Sequence, residues 1–156
     1  MAVTTVSSSY ALLQQPHRLR VGNPCTPTAS AIASNDLMFG NGGSDKLCGF
    51  EGNDSLNGGK GDDDLIGGLG NDILSGGFRR DRFVLTAGSD PDLITDFTKG
   101  EDLLVLGGGL TFAQLTIIQN ADAAFIRIGQ NGQLLAALNG VPASAIDDLN
   151  DFTIFG

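Results

Sequence analysis

The chain has 156 residues, enough for one ordinary domain or for one small domain with a tail. Eighteen Asp and Glu against nine Lys and Arg give a net charge of −9. That argues against nucleic acid, whose phosphates call for clustered Lys and Arg, and favours cations or plain solubility. Tryptophan is absent, and no apolar run reaches the roughly 18 residues of a transmembrane helix.

Residues 1–30 are rich in Ser, Thr and Ala and contain no acid. Pro16, Pro24 and Pro27 interrupt any long helix. The segment reads as a disordered or non-native tail. Arg18 and Arg20, without acids nearby, leave a transit peptide as the alternative. No charged start followed by an apolar stretch marks an ordinary secretory signal. Cys25 and Cys48 form one potential pair, which is no disulfide framework, so both read as free thiols.

Residues 31–84 carry a strict period. Asp36, Asp45, Asp54, Asp63, Asp72 and Asp81 are each nine residues apart. Two positions after each stands an apolar residue: Met38, Leu47, Leu56, Leu65, Leu74 and Phe83. Five positions before each of the last five stands a glycine: Gly40, Gly49, Gly58, Gly67 and Gly76. A disordered acidic linker has no reason to keep an apolar residue in phase, so the period predicts a solenoid.

Residues 85–156 lose the strict period. Asp92-Leu93-Ile94 and Asp102-Leu103-Leu104 read as degenerate turns that end the solenoid. Leu115–Gln119, Ala124–Ile128 and Gln133–Leu138 have strand character, and Asn131-Gly132 signals a hairpin between the last two. Pro142–Ile146 reads as a short helical turn and Phe152–Phe155 as a final strand. These strands are expected to cap the solenoid.

The best copies are Gly58-Gly59-Lys60-Gly61-Asp62-Asp63-Asp64-Leu65-Ile66 and Gly67-Gly68-Leu69-Gly70-Asn71-Asp72-Ile73-Leu74-Ser75. Both match G-G-x-G-x-D-x-U-x, with U apolar, a pattern known from calcium-binding β-helices. Calcium takes about 6–8 oxygens, more than one Asp supplies. Backbone carbonyls must provide the rest, and they converge only in a tightly curled loop. In x-U-x the central side chain points inward and its neighbours outward. Two nonapeptides make one coil of 18 residues, so each loop is expected to stack on the loop two repeats later.

On these motifs the chain resembles the repeats-in-toxin (RTX) family over about 31–156. The resemblance implies an all-β fold, a right-handed parallel β-roll over 31–84, and degenerate repeats with a C-terminal β-strand cap over 85–156. It also implies several calcium ions between stacked loops. The residues it points to are Gly40, Gly42, Gly49, Glu51, Gly52, Gly58, Lys60, Gly61, Gly67, Leu69 and Gly70 in the loops, with Asp36, Asp45, Asp54, Asp63, Asp72 and Asp81. The implied partners are Asp45 with Asp63 and Asp54 with Asp72, then Asp36 with Asp54 and Asp63 with Asp81.

The chain departs from the family pattern in places. Ala31-Ile32-Ala33-Ser34 replaces the glycines of the first loop. Phe50 replaces the second glycine of its loop and Arg79 the third glycine of the last. Arg79, Arg80 and Arg82 add positive charge that opposes a cation.

Other motifs carry less. Asn53-Asp54-Ser55 matches a glycosylation sequon but falls inside a predicted calcium loop. An EF-hand starting at Asp62 fails, because Ile73 occupies the twelfth position. His17 is the single histidine, so neither a zinc H-E-x-x-H site nor a Ser-His-Asp triad is expected. The expected function is calcium binding by a secreted, non-catalytic protein that folds on binding. The alternatives are the C-terminal part of a larger enzyme or toxin, and an adhesive or surface-layer component with a protein or glycan partner. By resemblance, export uses a C-terminal signal and a one-step channel. The acids followed by an apolar tail in Asp147–Gly156 are compatible with that.

Overall fold

The computed structural model describes residues 35–129, 132–146 and 149–154. The expected tail over 1–30 and most of the first loop lie outside these residues. Twelve strands and three short 3-10 turns make up the described chain, with no α-helix among them. Eight strands form the solenoid: β1 (Leu37–Phe39), β2 (Lys46–Glu51), β3 (Ser55–Lys60), β4 (Asp64–Leu69), β5 (Ile73–Phe78), β6 (Arg82–Leu85), β7 (Asp92–Ile94) and β8 (Leu103–Leu106). Odd strands stack in parallel in a first sheet and even strands in a second. The coil therefore makes about four turns.

The nine-residue period dictates this. Leu56 pairs with Leu74 and Leu47 with Leu65, each 18 residues on, as the two-repeat coil requires. Leu47, Leu56, Leu65, Leu74 and Phe83 are buried between the sheets, and Met38 packs against them at the open end. Each full strand is longer than the expected x-U-x: six residues, running on through the first three positions of the next repeat. The degenerate turns keep the register while lengthening the coil. Ile73 pairs with Leu93 and Phe83 with Leu104, steps of 20 and 21 residues, so the extra residues lie in the loops.

The end is capped by a meander of β9 (Leu115–Asn120), β10 (Ala123–Ile128) and β11 (Leu134–Asn139). Strand β11 pairs in parallel with β7 in the first sheet, and β12 (Phe152–Ile154) pairs with β8 in the second. Ala124, Ile126, Leu135, Leu138 and Ile146 join the solenoid's core, so the apolar column is sealed rather than left open. The expected helical turn is a 3-10 turn over Ala143–Ala145.

Two expectations change. Cys48 is disulfide-bonded rather than a free thiol, and its partner lies outside the described residues. A count of two cysteines does not report their proximity. Arg82 does not oppose a cation in the loops, because it points out of the second sheet. There its Nε lies 2.8 Å from Oδ1 of Asp64 and its Nη2 donates to Oδ2 at 3.1 Å.

Phe50 and Arg79 both adopt the left-handed conformation, with φ of 76° and 87°. A side chain there costs about 1–2 kcal/mol, partly offset by the extra freedom glycine has when unfolded. Phe50→Gly and Arg79→Gly are each expected to stabilise the roll, by roughly 0.5–1 kcal/mol on those figures. Urea unfolding at saturating calcium measures this, and a loss of stability in both variants would contradict it.

Candidate metal centre

The loops between strands form two columns, one at each edge of the coil. The aspartate at the end of each loop turns inward and is buried: Asp45, Asp54, Asp63, Asp72 and Asp81, with Asp36 half-buried at the first turn. The backbone N–H of each aspartate donates to the carboxylate one coil on. Asp36 donates to Oδ1 of Asp54 at 2.7 Å and Asp54 to Asp72 at 2.7 Å. In the other column Asp45 donates to Asp63 at 2.7 Å and Asp63 to Asp81 at 2.9 Å. All four implied partnerships are thus brought together.

The second carboxylate oxygen is different. Oδ2 of Asp54, Asp63, Asp72 and Asp81 is buried and accepts no hydrogen bond. Each lies against the first glycine of its own loop: a methyl group on Gly49, Gly58, Gly67 or Gly76 would overlap it. The glycine five positions before each aspartate is therefore required by close approach. Gly40 stands in the same relation to Asp45. Gly52, Gly61 and Gly70 occupy a second role, turning the loop with φ of 128°, 141° and 120°. A side chain at two of them would overlap a carbonyl oxygen of the preceding coil, that of Gly43 at Gly61 and that of Gly52 at Gly70. Glu51, Lys60 and Leu69 lie at strand ends with exposed side chains, so only their backbone can serve the loops. Gly42 holds the same position in its loop and bridges to Lys60.

The electrostatics are unfavourable as they stand. Burial pushes the Asp54 carboxyl up to about 6 against the donated Asp36 N–H, and the Asp72 charge adds to the rise. Burial likewise takes Asp81 to about 7. Asp63 and Asp72 are raised by the same cause. Buried anions with an unused oxygen call for a positive partner. Among the described residues no three acidic, His or Cys side chains converge. Any cation held here must take most of its ligands from carbonyls, and a hard cation such as calcium accepts that donor set. The residues therefore fit calcium.

Sequence reasoning left out two members of the ladders. Asp72 N–H donates to Oδ1 of Asp92 at 3.3 Å, and Asp81 N–H to Oδ1 of Asp102 at 2.9 Å. Burial pushes Asp92 up to about 8, and the Asp72 charge adds to it. The signal was present in the Asp-x-apolar step, at spacings that the strict period excludes. Asp102 spends its other oxygen on Thr98 N–H at 2.8 Å. Asp96 accepts from Gly76 N–H and Gly77 N–H at 2.9 Å and from the Ser75 hydroxyl at 2.7 Å. Carboxylates thus tie down the last loop directly.

One column also carries an asparagine ladder. Asn53 N–H donates to Oδ1 of Asn35 at 2.8 Å, and Asn71 N–H to Oδ1 of Asn53 at 2.9 Å. The sequence shows it as Asn-Asp at 35–36, 53–54 and 71–72, a period of 18 rather than nine. The other column has Ser44, Asp62 and Arg80 at that position. The Oδ1 of Asn53 is thus engaged in the ladder.

Comparison with known proteins agrees with this geometry. Residues 33–49 and 49–83 match the RTX calcium-binding nonapeptide repeat, in four copies. None of the curated proteins matches the chain. Among solved structures, the AlgE6R3 subunit of the Azotobacter vinelandii mannuronan C5-epimerase is similar at a TM-score of 0.53 and 24% identity, covering 82% of this chain and 85% of that one. The AlgE6R2 subunit of the same enzyme has a TM-score of 0.48 and 24% identity, covering 81% and 94%. The first likeness shares the fold. Residues 33–83 thus match an RTX calcium-binding nonapeptide array, and they fold as part of a parallel β-roll.

Proposed function

We propose that this chain is a secreted, non-catalytic calcium-binding β-roll that orders its loops when the ion binds. The observation that carries the reading is the set of buried Oδ2 atoms on Asp54, Asp63, Asp72 and Asp81, each left without a hydrogen bond. When bound, calcium supplies the positive charge that these columns lack. The chain's own part is to present carboxylates and loop carbonyls at fixed spacing. Asp45, Asp54, Asp63 and Asp72 and the carbonyls of the loops at 40–43, 49–52, 58–61 and 67–70 are the residues proposed to hold it. Asp36 and Asp81 are proposed at the margins, since the first loop lacks glycines and the last contains Arg79 and is tied by Asp96. Two units accompany this proposal: the roll over 31–84, and degenerate repeats with a cap over 85–156.

Secretion fits the expected affinity. Extracellular calcium modules work at dissociation constants near 10⁻⁴–10⁻³ M, so the roll would load outside the cell and not in the cytosol. Release of the chain only from a host carrying a one-step export channel would support that route; equal release without the channel would argue against it.

The metal reading is tested with Asp63→Asn and Asp72→Asn. Asparagine keeps the Oδ1 acceptor for the N–H one coil back while removing the charge. Each variant should raise the calcium midpoint, seen by far-UV circular dichroism, several-fold more than Asp36→Asn. Equal midpoints for the three would mean that loop quality does not decide binding. Magnesium, which demands tighter octahedral geometry, should substitute poorly.

A further inference from the structure

The two sheets differ on their outer faces. Register carries one outward row across all strands of the first sheet: Leu37, Ser55, Ile73, Leu93, Ala137, Phe125 and Ile118. All but Ser55 are apolar, and Leu37, Ile73, Leu93 and Ile118 are exposed at 43%, 47%, 38% and 38%. The polar groups beside the row are already satisfied within the chain. Asn57 donates to the Ser75 hydroxyl at 3.3 Å, Ser75 to Asp96 at 2.7 Å, and the Thr95 hydroxyl to the Leu74 carbonyl at 3.2 Å. Covering them therefore strands few hydrogen-bonding groups. The charged neighbours are Asp96, which also accepts two amide N–H groups, and Arg127 at the bulged end of β10. On the second sheet the outward register instead places Lys46, Asp64 and Arg82 side by side. A chain of net charge −9 thus keeps one sheet face nearly free of charge.

That row is complementary to itself. Strand β7 is the middle strand of the sheet, so Leu93 stands at the centre. A two-fold axis along β7 lays Leu93 on Leu93, Ile73 on Ala137, Ser55 on Phe125 and Leu37 on Ile118. Large side chains meet small ones at the two inner steps, as interdigitating sheets require. Strand spacings of about 4.8 Å and about five residues of strand make a face of roughly 29 by 17 Å. Two such faces bury about 1,000 Å², where specific interfaces begin. Repulsion between two acidic chains then acts around the contact, where salt screens it, and not across it.

We propose that two copies of this chain pack first sheet on first sheet, in a symmetric dimer with Leu93 at its centre. The loop columns, at the edges of the coil, stay outside the contact.

The test is sedimentation equilibrium of the full chain at saturating calcium, from about 1 to 100 μM protein, the range suited to an interface of this area. The wild type should pass from monomer to dimer within that range and stop there, because a two-fold contact closes. Added salt should leave the dimer intact or strengthen it, since no ion pair holds the contact. Ile73→Asp and Ile118→Asp should each raise the dimer dissociation constant by about tenfold or more, because each places carboxylates against an apolar partner. Thr153→Asp, an equal charge on the second sheet, should leave it unchanged. Circular dichroism reads the roll and sedimentation the contact, and Ile118 lies in the cap, clear of every calcium loop. This proposal and the calcium reading therefore fail separately. A wild type that stays monomeric throughout the range overturns the proposal. So does a dimer that both Asp variants leave intact, one that salt dissociates, or growth beyond the dimer.

Discussion

Leu74→Asp should prevent the roll from folding even at saturating calcium, while Ile73→Asp, one residue earlier, leaves it folded. Leu74 is 0% exposed inside a core one side chain wide, whereas Ile73 on the same strand is 47% exposed. Burying a leucine contributes about 1.5–3 kcal/mol, and the mutation loses that. The added carboxylate has no partner between the sheets, and a buried unpaired ion costs several kcal/mol more. Together these approach the whole stability of a small domain, about 5–15 kcal/mol. Protonation could spare the charge but not the cavity or the lost contacts. Far-UV circular dichroism with calcium in excess reads the outcome. Two variants that behave alike would show that the period-2 alternation on β5 has been misassigned.

The second large effect is a reversal of the usual pH dependence once calcium is removed. Asp54, Asp81 and Asp92 are pushed up to about 6, 7 and 8 by burial, with neighbouring carboxylates adding to each rise. In the unfolded chain an aspartate titrates near 3.9. Between about pH 4 and 8 the folded chain therefore holds more protons than the unfolded one, and stability falls as pH rises. The stabilisation is complete below the unfolded value and disappears as pH passes through 6, 7 and 8. In chelator, the strand signal should be weak at pH 8 and recover toward pH 5. Calcium must displace the same protons, so its apparent affinity should rise over that window. Circular dichroism in chelator from pH 5 to 8.5, with calcium titrations at each end, checks both. Stability that rises with pH in chelator would mean the ladders are ionised and already satisfied without a cation.

Both effects come from features that are local in sequence. Each repeat supplies one strand and one turn, so consecutive repeats fall on opposite sheets and alternate repeats stack. That alone places Leu56 over Leu74 and Asp54 beside Asp72. It also sets the glycine five residues before each aspartate, though the reason is a carboxylate oxygen against its α-carbon. The loop conformation at Phe50 and Arg79 follows from their place in the pattern, since the neighbouring copies put glycine there.

What the tertiary structure decided lies where spacing stops being regular or where partners are far apart. Asp92 and Asp102 join the ladders across steps of 20 and 21 residues, because loops absorb insertions while strands keep register. Asp96 reaches Gly76 and Gly77 through a contact that no repeat encodes. The tight turn between β9 and β10 uses Ala121 at a φ of 48°, a conformation its residue type does not announce. Strands β11 and β12 are attached to β7 and β8 because those are the open ends of the two sheets, and an unpaired edge is satisfied by whatever strand can reach it.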